Sequence, residues 1–381
     1  MSKVSVTKAS AYDPAALDAA IDAHMSAFDM QSRIKPGMKI ALKPNLLIKA
    51  HPDKAVTTHP QIVAAVLRWL RNHGAADIVI AESPGGPHTK AHLEGVFRAC
   101  GILDIAREYG AVPGFDTSNR NIPCPDGLIC RGFTVINPAA EADIIINLPK
   151  LKTHGMTMLS GAVKNMMGVI PGLQKPEMHF RFQDKAAFGR MLVDLSLCVP
   201  PVISIVDAVV SMEGNGPSGG NPRGAGHIFA AENPHALDLA LCAFINMPPE
   251  FVPTVKDAVE RGLCPENAAA VEYLCDGRPS PITDYKFPDS MMPVGFYAQM
   301  PRFMQRPAKF ISERFFTPVP VIRPKDCIGC EKCAESCSPG AIDMHDRKAA
   351  IKYEKCIKCF CCHEMCPAKA IDIKRSKLLR W

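Results

Sequence analysis

Between residues 327 and 366 the chain repeats itself, and it does so in cysteine. Cys327, Cys330, Cys333 and Cys337 return as Cys356, Cys359, Cys362 and Cys366, each displaced by 29 positions, and Ala341-Ile342-Asp343 returns as Ala370-Ile371-Asp372. The spacing C-x2-C-x2-C-x3-C is the bacterial run for paired 4Fe-4S cubanes, in which three thiolates hold one cluster and the fourth reaches the other. Ligation is therefore expected to cross. Cys327, Cys330, Cys333 and Cys366 are assigned to one cluster, and Cys356, Cys359, Cys362 and Cys337 to the second. A zinc ribbon would need two ligand pairs closing one tetrahedron, not two overlapping quartets.

The two halves differ in detail. Pro367 follows Cys366 directly, whereas Ser338 stands between Cys337 and Pro339 and keeps a backbone N–H there. Hydrogen bonds to cluster sulfurs tune potential, so this donor is a difference between the two expected sites. Cys361 fits neither quartet and is read as a buried spare thiol.

A chain of 381 residues with 47% hydrophobic composition can build one large domain and a small one. Its amino terminus has no apolar leader, and no run reaches the ~18 uncharged apolar residues of a membrane span. Nine of the sixteen cysteines lie in the repeat and the other seven show no paired C-x2-C spacing, which fits free thiols in a reducing, cytoplasmic setting. The formal charge of +6 dissolves on division. Residues 321–381 carry +5 and the rest +1, and each cubane with its thiolates adds about −2. The basic excess offsets the clusters, and no nucleic-acid partner is expected.

Upstream, strand-like and helix-like stretches alternate. Val4–Thr7, Met38–Leu42, Ile78–Ile80, residues near 111–115, Asp143–Asn147, Val202–Val206 and His227–Ala230 read as strands. Helical periodicity runs through Leu17, Ile21 and Met25 after Asp13-Pro14, and through Ile62, Val66 and Leu70 after Thr58-His59-Pro60. Further helices are expected around 89–99, 101–109, 186–198 and 234–246. Asp143-Ile144-Ile145-Ile146-Asn147 lacks alternation, as expected of a strand covered on both faces. The expectation is an α/β domain over 1–275 with a largely parallel sheet and helices on both faces. A Pro-rich, aromatic connector over 276–320 and a small α+β ferredoxin-like two-cluster domain over 321–381 complete the chain. The Met- and Phe-rich residues 291–316 are expected to pack between the two domains.

Ligands of open α/β sheets bind beyond the carboxyl ends of the strands. Four loops expected there hold Lys43-Pro44-Asn45, Glu82-Ser83-Pro84-Gly85-Gly86, Asn147 to His154, and Asp207 with the glycine-rich run from Glu213 to Gly220. Lys43, Lys150 and Lys152 would form a cationic rim for a carboxylate or phosphate, and the glycines would admit an anion to backbone N–H groups. Lys164 and Asn165 interrupt the apolar stretch 160–172, and a lysine there is costly unless paired or functional. No P-loop or dinucleotide fingerprint is present, so neither ATP nor NAD is signalled.

KPN (43–45), LPKLKTH (148–154), GAVKNMMGVIPG (161–172) and Asp207 followed by EGNGP (213–217) resemble the prokaryotic domain-of-unknown-function family numbered 362. That family is often joined to a two-cluster ferredoxin module. The resemblance covers nearly the whole chain and implies iron–sulfur binding and a redox role, without a settled substrate. The stretches 147–154 and 160–167 are also distantly similar to nickel-pincer lactate racemase-like proteins. In that analogy Lys150, Lys152, His154 and Lys164 line a cofactor or hydroxy-acid pocket.

The expected function is electron transfer through two 4Fe-4S clusters between a redox partner protein and a small anionic ligand in the large domain. Lys43, Asn45, Lys150, Lys152, Asn165, Asp207 and Glu213 are the candidate binding residues, and His154 and Lys164 the candidate catalytic ones. The alternatives are a non-enzymatic electron-transfer or assembly adaptor and a redox-neutral, racemase-like enzyme.

Overall fold

Two hydrophobic cores lie on opposite faces of one ten-stranded sheet. The computed structural model describes residues 2–291 and 317–374, together with residues 301, 303, 304 and 307. Among the described residues, twelve strands lie before residue 291: β1 (Lys3–Lys8), β2 (Lys39–Pro44), β3 (Asp77–Ile80), β4 (Val112–Pro113), β5 (Asn119–Pro123), β6 (Gly132–Ile136), β7 (Ile144–Leu148), β8 (Lys150–His154), β9 (Met158–Ser160), β10 (Ile203–Glu213), β11 (Asn221–Ala231) and β12 (Glu272–Cys275). The sheet runs β12-β1-β11-β10-β7-β2-β3-β4, with β8 paired to β10 and β9 to β8. Only β11 and β9 oppose the common direction. β5 and β6 form a separate hairpin.

The period-2 pleat accounts for the two cores. Ile40, Leu42, Ile78, Ile80 and Ile146 point to one, where the helices Pro14–Ala27, Pro60–Asn72 and Pro234–Phe244 pack. Ala41, Val79 and Ile145 point to the other, under the helix Lys185–Cys198 and the β5–β6 hairpin. With both faces covered, β7 has no polar side to alternate with. The helix starts follow their caps: the Asp13 side chain accepts from Ala16 N, and His59 caps Pro60–Asn72 with proline in its first turn.

Three stretches read differently in the fold. Residues 150–154, expected as a loop, form β8, because β10 runs on past Val206 to Glu213 and offers a pairing edge. The helix-like stretch 160–172 holds only the short helix Ala162–Asn165 and a 3-10 turn, Met166–Val169. Residues beyond β12 pack on the large domain, where buried Tyr285 donates its hydroxyl to Ser211 Oγ and Met212 O. Most of the Met- and Phe-rich stretch, and the basic residues 375–381, lie outside the described residues.

The cysteine repeat folds around two ribbons, β13 (Val319–Ile322) with β16 (Ile371–Lys374), and β14 (Ile342–His345) with β15 (Lys348–Ile351). Its halves keep one turn. Gly340 N donates to Cys337 O and Lys369 N to Cys366 O, and both residues take positive φ. The one-residue shift of proline leaves that geometry unchanged.

This module docks on the large domain through the short helix Cys361–Met365. Ser218 Oγ donates to Glu364 O, His363 Nε2 lies 3.0 Å from Asn215 O, and Lys369 Nζ approaches Gly220 O. The glycine-rich loop thus receives a protein surface rather than an anion. A Cβ on Gly219 would stand 2.6 Å from the His363 ring and 2.9 Å from Asn215 O, so only glycine lets the ring in. Gly219→Val is therefore expected to loosen the docked module: amide exchange across 361–365 accelerates while the large domain keeps its melting temperature.

Candidate functional site

The carboxyl ends of β2 and β3 lie side by side and place a lysine against a carboxylate. Lys43, wholly buried, donates from Nζ to Glu82 Oε2 at 2.6 Å and to Pro44 O at 2.9 Å. Burial lowers the Lys43 pKa and raises that of Glu82, and the ion pair opposes both shifts. Gly168 lies over this pair; a Cβ there would stand 2.1 Å from Glu82 Oε1, which gives the middle glycine of the 161–172 stretch its reason.

A chain of amides runs from this floor. Asn165 Nδ2 donates to Asn147 Oδ1 at 2.8 Å and to Lys43 O, Asn45 Nδ2 donates to Asn165 Oδ1 at 2.8 Å, and Lys152 Nζ donates to Asn45 Oδ1 at 2.7 Å. The amide groups are oriented by this network, since each N–H has an oxygen to meet. Asp238 sets the chain's other anchor, accepting from Ala162 N and Val163 N at the start of the short helix that carries Lys164 and Asn165. Burial pushes the Asp238 carboxyl up to about 7.

Above the floor is an open cavity, about 410 Å³ with the solvent at its mouth included, lined by Asn45, Glu82, Ser83, Lys152, His154, Lys164, Asn165 and Lys175 among others. Among the described residues, three of its ammonium groups have no carboxylate within ion-pair distance. Lys152, fully buried, donates only to Asn45 Oδ1 and Val56 O, both at 2.7 Å. Lys175 donates to Ser83 O and Ile170 O. Lys164 has only Met167 Sδ, at 3.4 Å. Burial lowers all three pKa values, bringing Lys152 and Lys175 to about 7, and the neighbouring Lys164 charge adds to both effects.

His154 closes the side toward the cysteine module. Its Nδ1 accepts from Met156 N and Thr157 N, so the ring proton sits on Nε2, 3.1 Å from Glu364 Oε1. The two atoms are close but poorly aligned, and among the described residues neither has a hydrogen-bond partner. Burial keeps His154 neutral by lowering its pKa. Burial works the other way on Glu364, but His154 and Lys164 outweigh it and hold that carboxyl well below its usual range.

The cysteines gather into two hollows of about 340 Å³ each. Cys327, Cys330, Cys333 and Cys366 line one; Cys337, Cys356, Cys359 and Cys362 line the other, with Cys361 among them. The walls are otherwise mainly apolar, and Ala341 N and Ala370 N donate to Cys337 Sγ and Cys366 Sγ at 3.2 Å. Four soft donors, a dry lining and N–H groups aimed at sulfur are what a 4Fe-4S cubane requires of a protein. Cys362, in the second quartet, shares the docking helix with Glu364, and Met365 from the same helix meets Gly85 at the cavity rim.

A family model described as a domain of unknown function, DUF362, matches residues 40–243, and one for a 4Fe-4S dicluster domain matches residues 319–367. The chain belongs to the DUF362 family. With the dicluster domain comes an iron–sulfur electron-transfer role. The thylakoid-associated protein sll1697 of Synechocystis sp. is 30% identical to this DUF362 protein over 318 residues, covering 82% of this chain and 95% of the relative. The lactate racemase apoprotein from Thermoanaerobacterium thermosaccharolyticum superposes with a TM-score of 0.42 at 14% identity, covering 64% of this chain and 57% of the racemase. Among the described residues no helix is long and apolar enough to cross a membrane.

Of the residues singled out from sequence, the DUF362 fold brings Asn45, Lys152, His154, Lys164 and Asn165 to the cavity, with Lys43 beneath it. Lys150 and Asp207 go elsewhere. They pair with each other at 2.8 Å, wholly buried, and Tyr12 donates to Asp207 Oδ1 while His59 N donates to Asp207 Oδ2. Successive residues of β8 face opposite ways, so Lys150 and Lys152 share a face, and what separates them is the neighbour each meets. Glu213 accepts from Lys286 N and holds the segment after β12. None of these three lines the cavity, which corrects their expected place in it. Lys175 and Glu364 were not singled out. Lys175 sits in an ordinary polar helix start, and Glu364 comes against His154 of the cavity wall only by docking.

Two outcomes follow for the DUF362 domain. Asp207→Ala leaves Lys150 buried and unpaired and is expected to cost about 3–5 kcal/mol in urea denaturation. For Lys152, between about pH 7 and 10 the unfolded chain holds a proton the native protein has released, so this residue makes stability rise with pH across that window. Lys152→Met is expected to lose that gain: measured in melts from pH 7 to 10, its stability relative to the parent falls as pH rises.

Proposed function

We propose that this protein is an oxidoreductase that exchanges single electrons between a redox partner protein and a small anion held in the strand-end cavity. Cys327, Cys330, Cys333 and Cys366 would hold one 4Fe-4S cluster and Cys337, Cys356, Cys359 and Cys362 the other. Bound there, the clusters supply one-electron redox chemistry. The observation that carries the reading is the docking helix: five residues, Cys361–Met365, include a cysteine of the second quartet and bring Glu364 against His154 of the cavity wall.

The lysines orient the anion. Lys152 and Lys164 meet it as donors, and the amide chain Asn147–Asn165–Asn45 keeps Lys152 from turning away. Lys152 is the better proton donor of the candidates, because an ammonium held near 7 releases its proton at neutral pH. His154 Nε2 stands 3.1 Å from Glu364 Oε1, and the ring serves to position that carboxylate. The first quartet, with Cys330 exposed, faces the redox partner. A reducing, cytoplasmic compartment suits sixteen thiols without a disulfide.

The reading is tested by following reoxidation of dithionite-reduced, cluster-loaded protein across a panel of anionic metabolites. Lys152→Met with Lys164→Gln is expected to slow it at least tenfold with the electron paramagnetic resonance of the clusters unchanged. Reoxidation indifferent to both substitutions would favour an adaptor that only relays electrons.

A further inference from the structure

The charges around the cavity do not balance. Lys43, Lys152, Lys164 and Lys175 bring four ammonium groups, and Glu82 and Glu364 bring two carboxylates. Glu82 is taken by Lys43 at 2.6 Å, and Glu364 faces the neutral His154 ring, so among the described residues no carboxylate stands within ion-pair distance of Lys152, Lys164 or Lys175. Their visible acceptors are backbone carbonyls, one amide oxygen and a thioether, none of them charged. Removing an ammonium from water without a counter-charge costs several kcal/mol. Lys152 bears that cost in full, Lys164 and Lys175, half-buried, in part, and three like charges on one cavity oppose one another's ionisation.

The geometry also says how many charges are missing. Each unpaired lysine comes from a different element: Lys152 from β8, Lys164 from the short helix Ala162–Asn165, and Lys175 from the helix Gln174–Arg181. They converge on one space from separate directions, unlike a row of lysines on a solvated face. Lys152 and Lys175 each use two of three N–H donors on the protein, leaving one apiece for a ligand. Resting on the reading above, we propose that the cavity binds a small, doubly charged anion, a dicarboxylate or a tetrahedral oxyanion, which supplies the two charges the protein lacks. A monoanion would leave one ammonium uncompensated, and an ionised ligand of three charges would meet Glu364 and Glu82 unopposed.

The test uses full-length, cluster-loaded protein at constant ionic strength, titrated calorimetrically with malonate, sulfate, acetate and nitrate. Malonate or sulfate is expected to bind at least tenfold tighter than acetate or nitrate. Lys152→Met and Lys175→Met are each expected to weaken the dianion at least tenfold and the monoanions less, while Lys90→Met, on the exposed surface, changes nothing. Lys164→Gln, at a half-buried position, keeps the test available if a buried variant does not fold, as judged by the visible cluster spectrum. Equal affinity for malonate, sulfate and acetate, or dianion binding untouched by the cavity lysines, or binding of none of them, would overturn the proposal. A redox titration separates it from the electron-transfer reading. A bound dianion close to the second quartet should lower one midpoint potential and leave the other in place. Tight, lysine-dependent dianion binding with both potentials unmoved would uphold the dianion site and sink the reading that electrons pass there.

Discussion

The contact between His154 and Glu364 joins the two parts of this molecule, and the cavity depends on it. The Glu364 carboxylate, buried behind the cavity wall, is held ionised by His154 and Lys164 together, and the cavity lysines are tolerable partly because of that carboxylate. Neither domain holds this balance alone. The large domain without Glu364 would carry one more uncompensated charge, and the cysteine module without the large domain would expose that carboxylate to water. Docking and electrostatics are one problem with one solution.

The same economy appears in the sheet. β10 continues past the point where β7 stops pairing with it, and that extension gives β8 an edge, turns Lys152 and His154 inward and carries the chain to the glycine-rich loop that seats His363. A buried ion pair along the same strand, Lys150 with Asp207, closes this extension with Tyr12 and His59. Its members are fully partnered, so the pair holds the frame, whereas the cavity lysines a few residues away have donors to spare. Partnering, and not residue type, distinguishes the framework lysine from the cavity lysines here.

Much was legible beforehand because it depends on local spacing. Cubane ligation needs cysteines at short fixed intervals, so the repeat and the two sorted quartets follow from counting. The uninterrupted apolar run of β7 announced a sheet covered on both faces. Caps at Asp13 and His59 marked helix starts for the same local reason.

What the chain by itself determined is therefore the cysteine module, the α/β class and a set of lysines near strand ends. Only the tertiary structure decided which lysines share a space, because a side chain's partner is set by whatever strand or module comes to lie against it. Lys150 met Asp207 from 57 positions away, while Lys152 met an amide and a carbonyl. Glu364 crossed from the cysteine repeat to His154, 210 positions earlier, since burying a carboxylate is favourable only where positive charge already waits. That energy is long-range and geometric, and no spacing in the sequence encodes it.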